Sequence, residues 1–154
     1  MFDRITVTTP AGDGALMFWK LSGMEVVSRS FALDVGLLST DARLDRKAML
    51  GQPITINIPT QGLTAAPRYL NGKITAVNVQ SSTEVNGTRY AIYTLKMESD
   101  LWPMLRDRNQ RIFQNQRVPD IIKTVLSEYG VHVEDKLTGE YRSWEYCVQY
   151  QENS

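Results

Sequence analysis

The sequence predicts a mainly β chain with a smaller α component, an α+β chain in which short antiparallel strands precede a helix. Three observations carry this. Apolar residues alternate with period two through about residue 98, Gly, Asn and Pro turn signals interrupt those runs, and after Ser99 the apolar period lengthens to that of a helix. Two domains are expected, a strand domain over 1–99 and a helical connector with the start of a second domain over 100–154.

In the strand domain, Ile5 and Val7 alternate with Thr6 and Thr8, and Phe31, Leu33 and Val35 alternate with Ala32 and Asp34. Ile54, Ile56 and Ile58 alternate with Thr55 and Asn57. A longer run from Tyr69 to Val79 contains Asn71-Gly72, which reads as a turn or a bulge. Tyr90 to Met97 puts Ala91, Tyr93, Leu95 and Met97 on one face. Turns are expected at Ala11-Gly12-Asp13-Gly14, at Gly51-Gln52-Pro53 and at Asn86-Gly87, and Asp45 can cap one helical turn ending at Gly51. Short strands in this cadence suggest a barrel or a sandwich.

Beyond Ser99, Leu101, Trp102 and Leu105 are spaced for a short helix. Val118, Ile121, Ile122, Val125, Leu126 and Tyr129 form one helical stripe, with Pro119 suited to the first turn, Asp120 complementing the dipole and Gly130 ending the helix. Two short β-like pieces are expected around Lys136-Leu137-Thr138-Gly139, with Trp144, Tyr146, Val148 and Tyr150 on one alternating face and little nearby to cover them.

Composition narrows function. The 154 residues are 42% hydrophobic and 22% charged, ordinary globular usage, and seventeen basic side chains balance seventeen acidic ones. No global field recruits nucleic acid or an anionic membrane, so partners must be recognised by shape. Cys147 is the only cysteine, which excludes an intramolecular disulfide and a cysteine-based zinc site and fits a reducing compartment. MFDRITVTTP has no apolar segment of secretory length, and no run approaches the ~20 apolar residues of a membrane span.

The search for chemistry returns structural readings. His132 is the only histidine and sits beside Val131 and Val133 as an ordinary strand residue. Gly12 and Gly14 lack the third glycine of a phosphate loop. The carboxylate pairs Asp41/Asp45 and Glu134/Asp135 lack the aromatic and polar surroundings of a sugar site. Asn86-Gly87-Thr88 matches a glycosylation acceptor but is explained by a hairpin turn. The cluster Arg106, Arg108, Arg111 and Arg117 can grip phosphate or carboxylate, with Phe113 the only aromatic interleaved, and reads better as an interface or a solvated face than as a nucleic-acid site. No catalytic residue, metal site or cofactor is expected.

The run LWPMLRDRNQRIFQNQRVPDIIKTVLSEYG followed by YRSWEYCVQYQE resembles the N-terminal part of the valine-glycine repeat (VgrG) spike proteins of type VI secretion, whose hub region resembles phage tail hubs. LSGMEVVSRSFALDVGLLS, AMLGQPITI, RYLNGKITAV and RYAIYTLKME match in the same order. The resemblance implies an antiparallel β-barrel like the first phage tail hub domain, then the start of a helical or α+β domain. It implies family-motif structural residues at Trp102, Arg111, Ile112, Phe113, Ile121, Ile122, Leu126, Trp144 and Tyr150, with Ile112 and Phe113 as packing residues. It further implies a non-catalytic role joining the Hcp tube hexamer to the spike, with baseplate components and further VgrG chains of a homotrimer as partners. Effectors would travel through a C-terminal part beyond this sequence, which stops where the family continues. Assembly in the bacterial cytoplasm, export with the spike without a signal peptide, and neither nucleic-acid binding nor direct membrane insertion follow from it. The alternatives are the hub of a contractile phage tail and, from another class, a nucleic-acid-binding β-barrel.

Overall fold

The computed structural model describes residues 5–27, 29–60 and 66–153. The opening residues 1–4, part of the segment read above for a leader, lie outside the described residues. The chain divides into two compact units, Met1–Ser99 and Asp100–Ser154.

The first unit is a six-stranded antiparallel sheet that curls into a half-barrel. Its strands are β1 (Thr6–Thr8), β2 (Met17–Met24), β3 (Ala32–Ser39), β4 (Pro53–Ile58), β5 (Arg68–Val85) and β6 (Thr88–Glu98), hydrogen-bonded in the order β1-β4-β5-β6-β3-β2. The edge strands β1 and β2 run close to one another. The concave face holds the core: Leu33, Val35 and Leu37 from β3, Ile54 and Ile56 from β4, Leu70 and Ile74 from β5, and Ala91, Tyr93, Leu95 and Met97 from β6. These are the alternating residues of the sequence, turned inward by the pleat.

Alternation fails where a bulge intervenes. In β5 the register shifts between Ile74 and Ala76, so Leu70, Gly72 and Ile74 are buried before it and Val77 and Val79 pack inward after it. The strand runs straight through Asn71-Gly72, which is neither turn nor bulge; the bulge lies two residues later. In β2 the shift falls between Phe18 and Lys20, so Leu16, Phe18 and Leu21 all reach the core although their spacing is irregular. One extra residue reverses which parity faces inward, and the same insertion tightens the twist that curls the sheet.

Two local devices anchor the segment between β3 and β4 to the core of the half-barrel. Asp45 caps α1 (Arg46–Met49), its carboxylate accepting from Lys47 N at 2.9 Å and Ala48 N at 3.1 Å, and this turn drives Met49 into the core. The phenol of Tyr93, fully buried, donates to the Asp41 carbonyl at 2.9 Å and accepts from Leu44 N at 3.3 Å, tying the 41–44 loop to the central strand. The hairpin turn between β5 and β6 has positive φ at both Asn86 and Gly87 (50° and 75°), the primed geometry whose twist suits a hairpin. From Gln80 to Tyr90 this hairpin has no third strand among the described residues, because β4 pairs with β5 only at Arg68–Lys73 and β3 with β6 only at Ala91–Glu98.

The second unit contains β7 (Asn109–Arg117), α2 (Val118–Glu128) and β8 (Ser143–Glu152), with β7 and β8 paired antiparallel. The short helix expected from Leu101, Trp102 and Leu105 is instead a chain of turns, with Met104 N donating to the Leu101 carbonyl and Arg106 N to the Pro103 carbonyl, both at 3.1 Å. Pro103 is the reason: its ring disfavours helical geometry at Trp102 and removes a donor. Of the two β-like pieces expected around Lys136–Gly139, the second forms as a strand over Ser143–Glu152 and the first does not: residues 131–142 have no regular structure, and His132 is exposed there rather than in a strand.

Two substitutions test this account. At Gly72 an added Cβ would lie 2.6 Å from the Glu98 carbonyl oxygen and 3.1 Å from the Met97 side chain, so Gly72→Ala is expected to destabilise the chain by about 1–3 kcal/mol in a denaturant titration. Tyr93→Phe keeps the packing but leaves the Leu44 N–H and Asp41 carbonyl unpaired, and about 1–2 kcal/mol should be lost by the same measurement. An unchanged midpoint in either variant would contradict the stated contact.

Candidate interaction surface

Strand β7, NQRIFQNQR, has little apolar pattern of its own, and its pairing with β8 makes it a strand. In that register Gln110 lies opposite Tyr150, Ile112 opposite Val148, Gln114 opposite Tyr146 and Gln116 opposite Trp144. Neighbouring residues of a strand point to opposite faces. Phe113 and Cys147 therefore turn toward α2, where they pack with Leu126 and Tyr129 against the buried Met104, Ile121 and Val125.

The other face is open. Ile112, Tyr146 and Tyr150 are 65%, 65% and 66% exposed, Val148 and Trp144 lie beside them, and none of the eight residues in the four register pairs carries a charge. Arg142 stacks over the Trp144 ring at 4.5 Å at one end of this strip.

Polar contacts fix the helix against the ribbon. Arg111 forms an ion pair with Glu128 at 2.8 Å without hydrogen-bond geometry. Asn109 Nδ2 donates to Asp107 Oδ2 at 2.9 Å and to the Tyr129 hydroxyl at 3.2 Å, and Tyr129 also hydrogen-bonds Asp107. The Tyr129 contact first, then that of Asn109, holds the Asp107 carboxyl below its ordinary value. Arg117, at the N-cap of α2, donates to Asp120 from Nε at 2.7 Å and from Nη2 at 3.2 Å, which raises its own pKa. Lys123 pairs with Asp135, and that contact, helped by Leu137 N at 2.9 Å, lowers the Asp135 pKa.

The sequence-derived residues fall into four places. Phe113, Ile121 and Leu126 come together in the small core, and Arg111 braces it. Ile112, Trp144 and Tyr150 share the open face, so the packing expected of Ile112 beside Phe113 is replaced by exposure on the opposite side. Trp102 is half-buried in the preceding turns with Arg106 over its ring at 5.0 Å, and Ile122 is half exposed on the outer side of α2. The glutamines of β7 were not singled out by sequence reasoning; the signal was their alternation with Arg111, Phe113 and Arg117.

The chemistry candidates are occupied locally. Asp45 is a helix cap, Asp41 accepts from Arg43 N at 2.7 Å, and Glu134 pairs with Lys136 at 3.1 Å. Among the described residues no group of three or more His, Cys, Asp or Glu could hold a metal ion. Of the four arginines, Arg106 stacks on Trp102 while Arg111 and Arg117 are paired with acids, which leaves little of a shared phosphate cradle. No helix among the described residues is long and apolar enough to cross a membrane.

Acid titration tests the polar braces. Asp107 and Asp135 have folded pKa values below 3.8, so their stabilisation is present above the unfolded value and lost as pH falls through the folded one. Asp107→Asn is expected to melt at lower temperature than the parent chain at neutral pH, with the two converging in strong acid. A constant gap at all pH values would show that the Asp107 charge contributes nothing.

Comparison with known proteins gives this geometry its context. Residues 24–154 match the family model of the phage tail baseplate hub (GPD). The type VI secretion system spike proteins VgrG1c and VgrG1b of Pseudomonas aeruginosa are each 36% identical over 151 residues, covering 97% of this chain and 20% of theirs, so the chain spans about a fifth of their length. Among solved structures, the Escherichia coli c3393 protein superposes with a TM-score of 0.74 at 27% identity, over 96% of this chain and 40% of that one. That protein is described as a component of the type VI secretion system with structural similarity to the T4 bacteriophage tail proteins gp27 and gp5. The chain belongs to the phage tail baseplate hub (GPD) family and resembles, within it, the hub-like region of the VgrG spike proteins of type VI secretion.

Proposed function

We propose that the chain is a non-catalytic structural module of a type VI secretion spike hub, joining the Hcp tube hexamer to the spike in contractile injection of effectors. The observation that carries this reading is the family match over residues 24–154 together with the superposition on c3393. The family match runs from β3 through β8, and the superposition covers 96% of the chain. The occupied carboxylates and arginines support a module that works by shape.

In this reading the residue 1–99 domain docks through barrel rims and strand edges, and residues 100–154 form a connector whose small core is built on Phe113, Ile121 and Leu126. Baseplate components and further hub chains of a homotrimer are its partners, and effectors are carried by other parts of a longer spike protein. The module assembles in the bacterial cytoplasm and leaves with the spike. A hub role in a contractile phage tail is the second reading, favoured by the phage hub family model itself.

The test is co-elution of the purified chain with purified Hcp hexamer on size exclusion. A complex that survives dilution is expected, at a salt concentration that abolishes binding to a phosphate-bearing matrix. Failure to bind the ring, combined with salt-sensitive retention on that matrix, would replace the structural reading with the nucleic-acid one.

A further inference from the structure

We infer that Asn86, at the tip of the β5–β6 hairpin, is a self-modification site whose side-chain amide is converted to a carboxylate by its own chain and water, while Asn71 in β5 is protected. Both residues precede glycine, and no other asparagine of the chain does. The following residue is therefore the same at the two positions, and the fold separates them.

The chemistry is an intramolecular acyl transfer. The Gly87 amide nitrogen, having lost its proton to hydroxide, attacks Cγ of Asn86. The N–Cγ bond forms, the Cγ–Nδ2 bond breaks, and Nδ2 leaves as ammonia with a proton taken from water. Water then opens the resulting five-membered imide at either carbonyl. Cleavage at Cγ leaves aspartate at position 86, and cleavage at the main-chain carbonyl leaves isoaspartate, in which the backbone runs through Cβ and Cγ. Nucleophile and electrophile sit in adjacent residues, so ring closure needs only that the side chain swing over the following peptide. Glycine presents no Cβ to that approach.

At Asn86 the fold leaves the movement open. Asn86 and Gly87 are exposed and lie outside the ladder, whose last pair is Val85 with Thr88, and a Cβ added at Gly87 would meet nothing within 4 Å. Reaching the reactive arrangement disturbs only the end pairs of a hairpin that neither β4 nor β3 is registered to beyond Lys73 and Ala91, and such ends open most readily. At Asn71 the same movement is blocked. Asn71 and Gly72 are registered to Thr55 and Ile54, and Asn71 Oδ1 accepts from Thr55 Oγ1 at 2.9 Å. Gly72 is buried, with space for a Cβ denied by the Glu98 carbonyl oxygen at 2.6 Å. Ring closure there requires β4 and β5 to separate, which opens the core.

The product differs from the parent in charge and in chain length. A new carboxylate stands beyond the opposed Glu84 and Arg89, and isoaspartate adds a methylene to the backbone of a two-residue turn, so the tip loses its register.

Incubation of the whole chain at neutral and mildly alkaline pH, followed by peptide mapping with mass spectrometry, tests this. Asn86 should convert at least about tenfold faster than Asn71, giving both aspartate and isoaspartate at a rate that rises with pH. In denaturant the two asparagines should react at comparable rates, because the fold no longer separates them. Asn86→Gly keeps a residue suited to the positive φ of 50° at this turn, so it should melt like the parent while the early product disappears. An Asn86 that stays intact in the folded chain, equal rates at the two positions in the folded chain, or a rate difference that persists in denaturant would each overturn the inference.

Discussion

A pleated strand shows one parity to the core and the other to water, and every feature of this chain is arranged around that constraint. In the half-barrel, β6 is the reference strand: it pairs with both β3 and β5 and holds an unbroken inward row of Ala91, Tyr93, Leu95 and Met97. The neighbouring strands must bend around it. Bulges in β2 and β5 absorb the bending by inserting one residue, and each insertion exchanges the inward parity so that the apolar side chains beyond it still reach the core. Curvature and burial are thereby solved by the same device.

That device also governs what the sequence discloses. Strands without an inward parity change, β3, β4 and β6, are legible as plain alternation, and α2 is legible because its stripe of Ile121 and Val125 needs only the helical period. Strand β2 is not: Leu16, Phe18 and Leu21 read as an aperiodic apolar cluster until the bulge at Trp19 is known. Strand β7 is hidden for another reason, since a chain of Asn, Gln and Arg with one Ile-Phe pair becomes a strand through its partner. Turn chemistry is a good local signal at Asp45 and Asn86-Gly87, where one or two residues decide, but not at Asn71-Gly72, which pairing with β4 holds extended.

The second unit applies the parity rule to a ribbon of only two strands. With α2 on one face, no strand or helix among the described residues of the unit covers the other, where Arg142 lies over Trp144 and Tyr146 and Tyr150 are exposed. The aromatic row was legible from sequence as an alternating face; its glutamine counterpart required the register. Family membership comes from the order of these pieces along the chain, matched in the hub model and in c3393, rather than from any reactive group.

The two-stranded reach of the β5–β6 hairpin, from Gln80 to the Asn86-Gly87 turn and back to Tyr90, has a bearing on how such a domain diversifies. No third strand is registered to it among the described residues, so residues added symmetrically near the tip lengthen it without disturbing the pairing at Ala91–Glu98. Change by two residues per strand preserves which side chains face each way, whereas a single insertion in one strand inverts everything beyond it. The hairpin is thus the part of the half-barrel whose length can change, in steps of two, at least cost to the core.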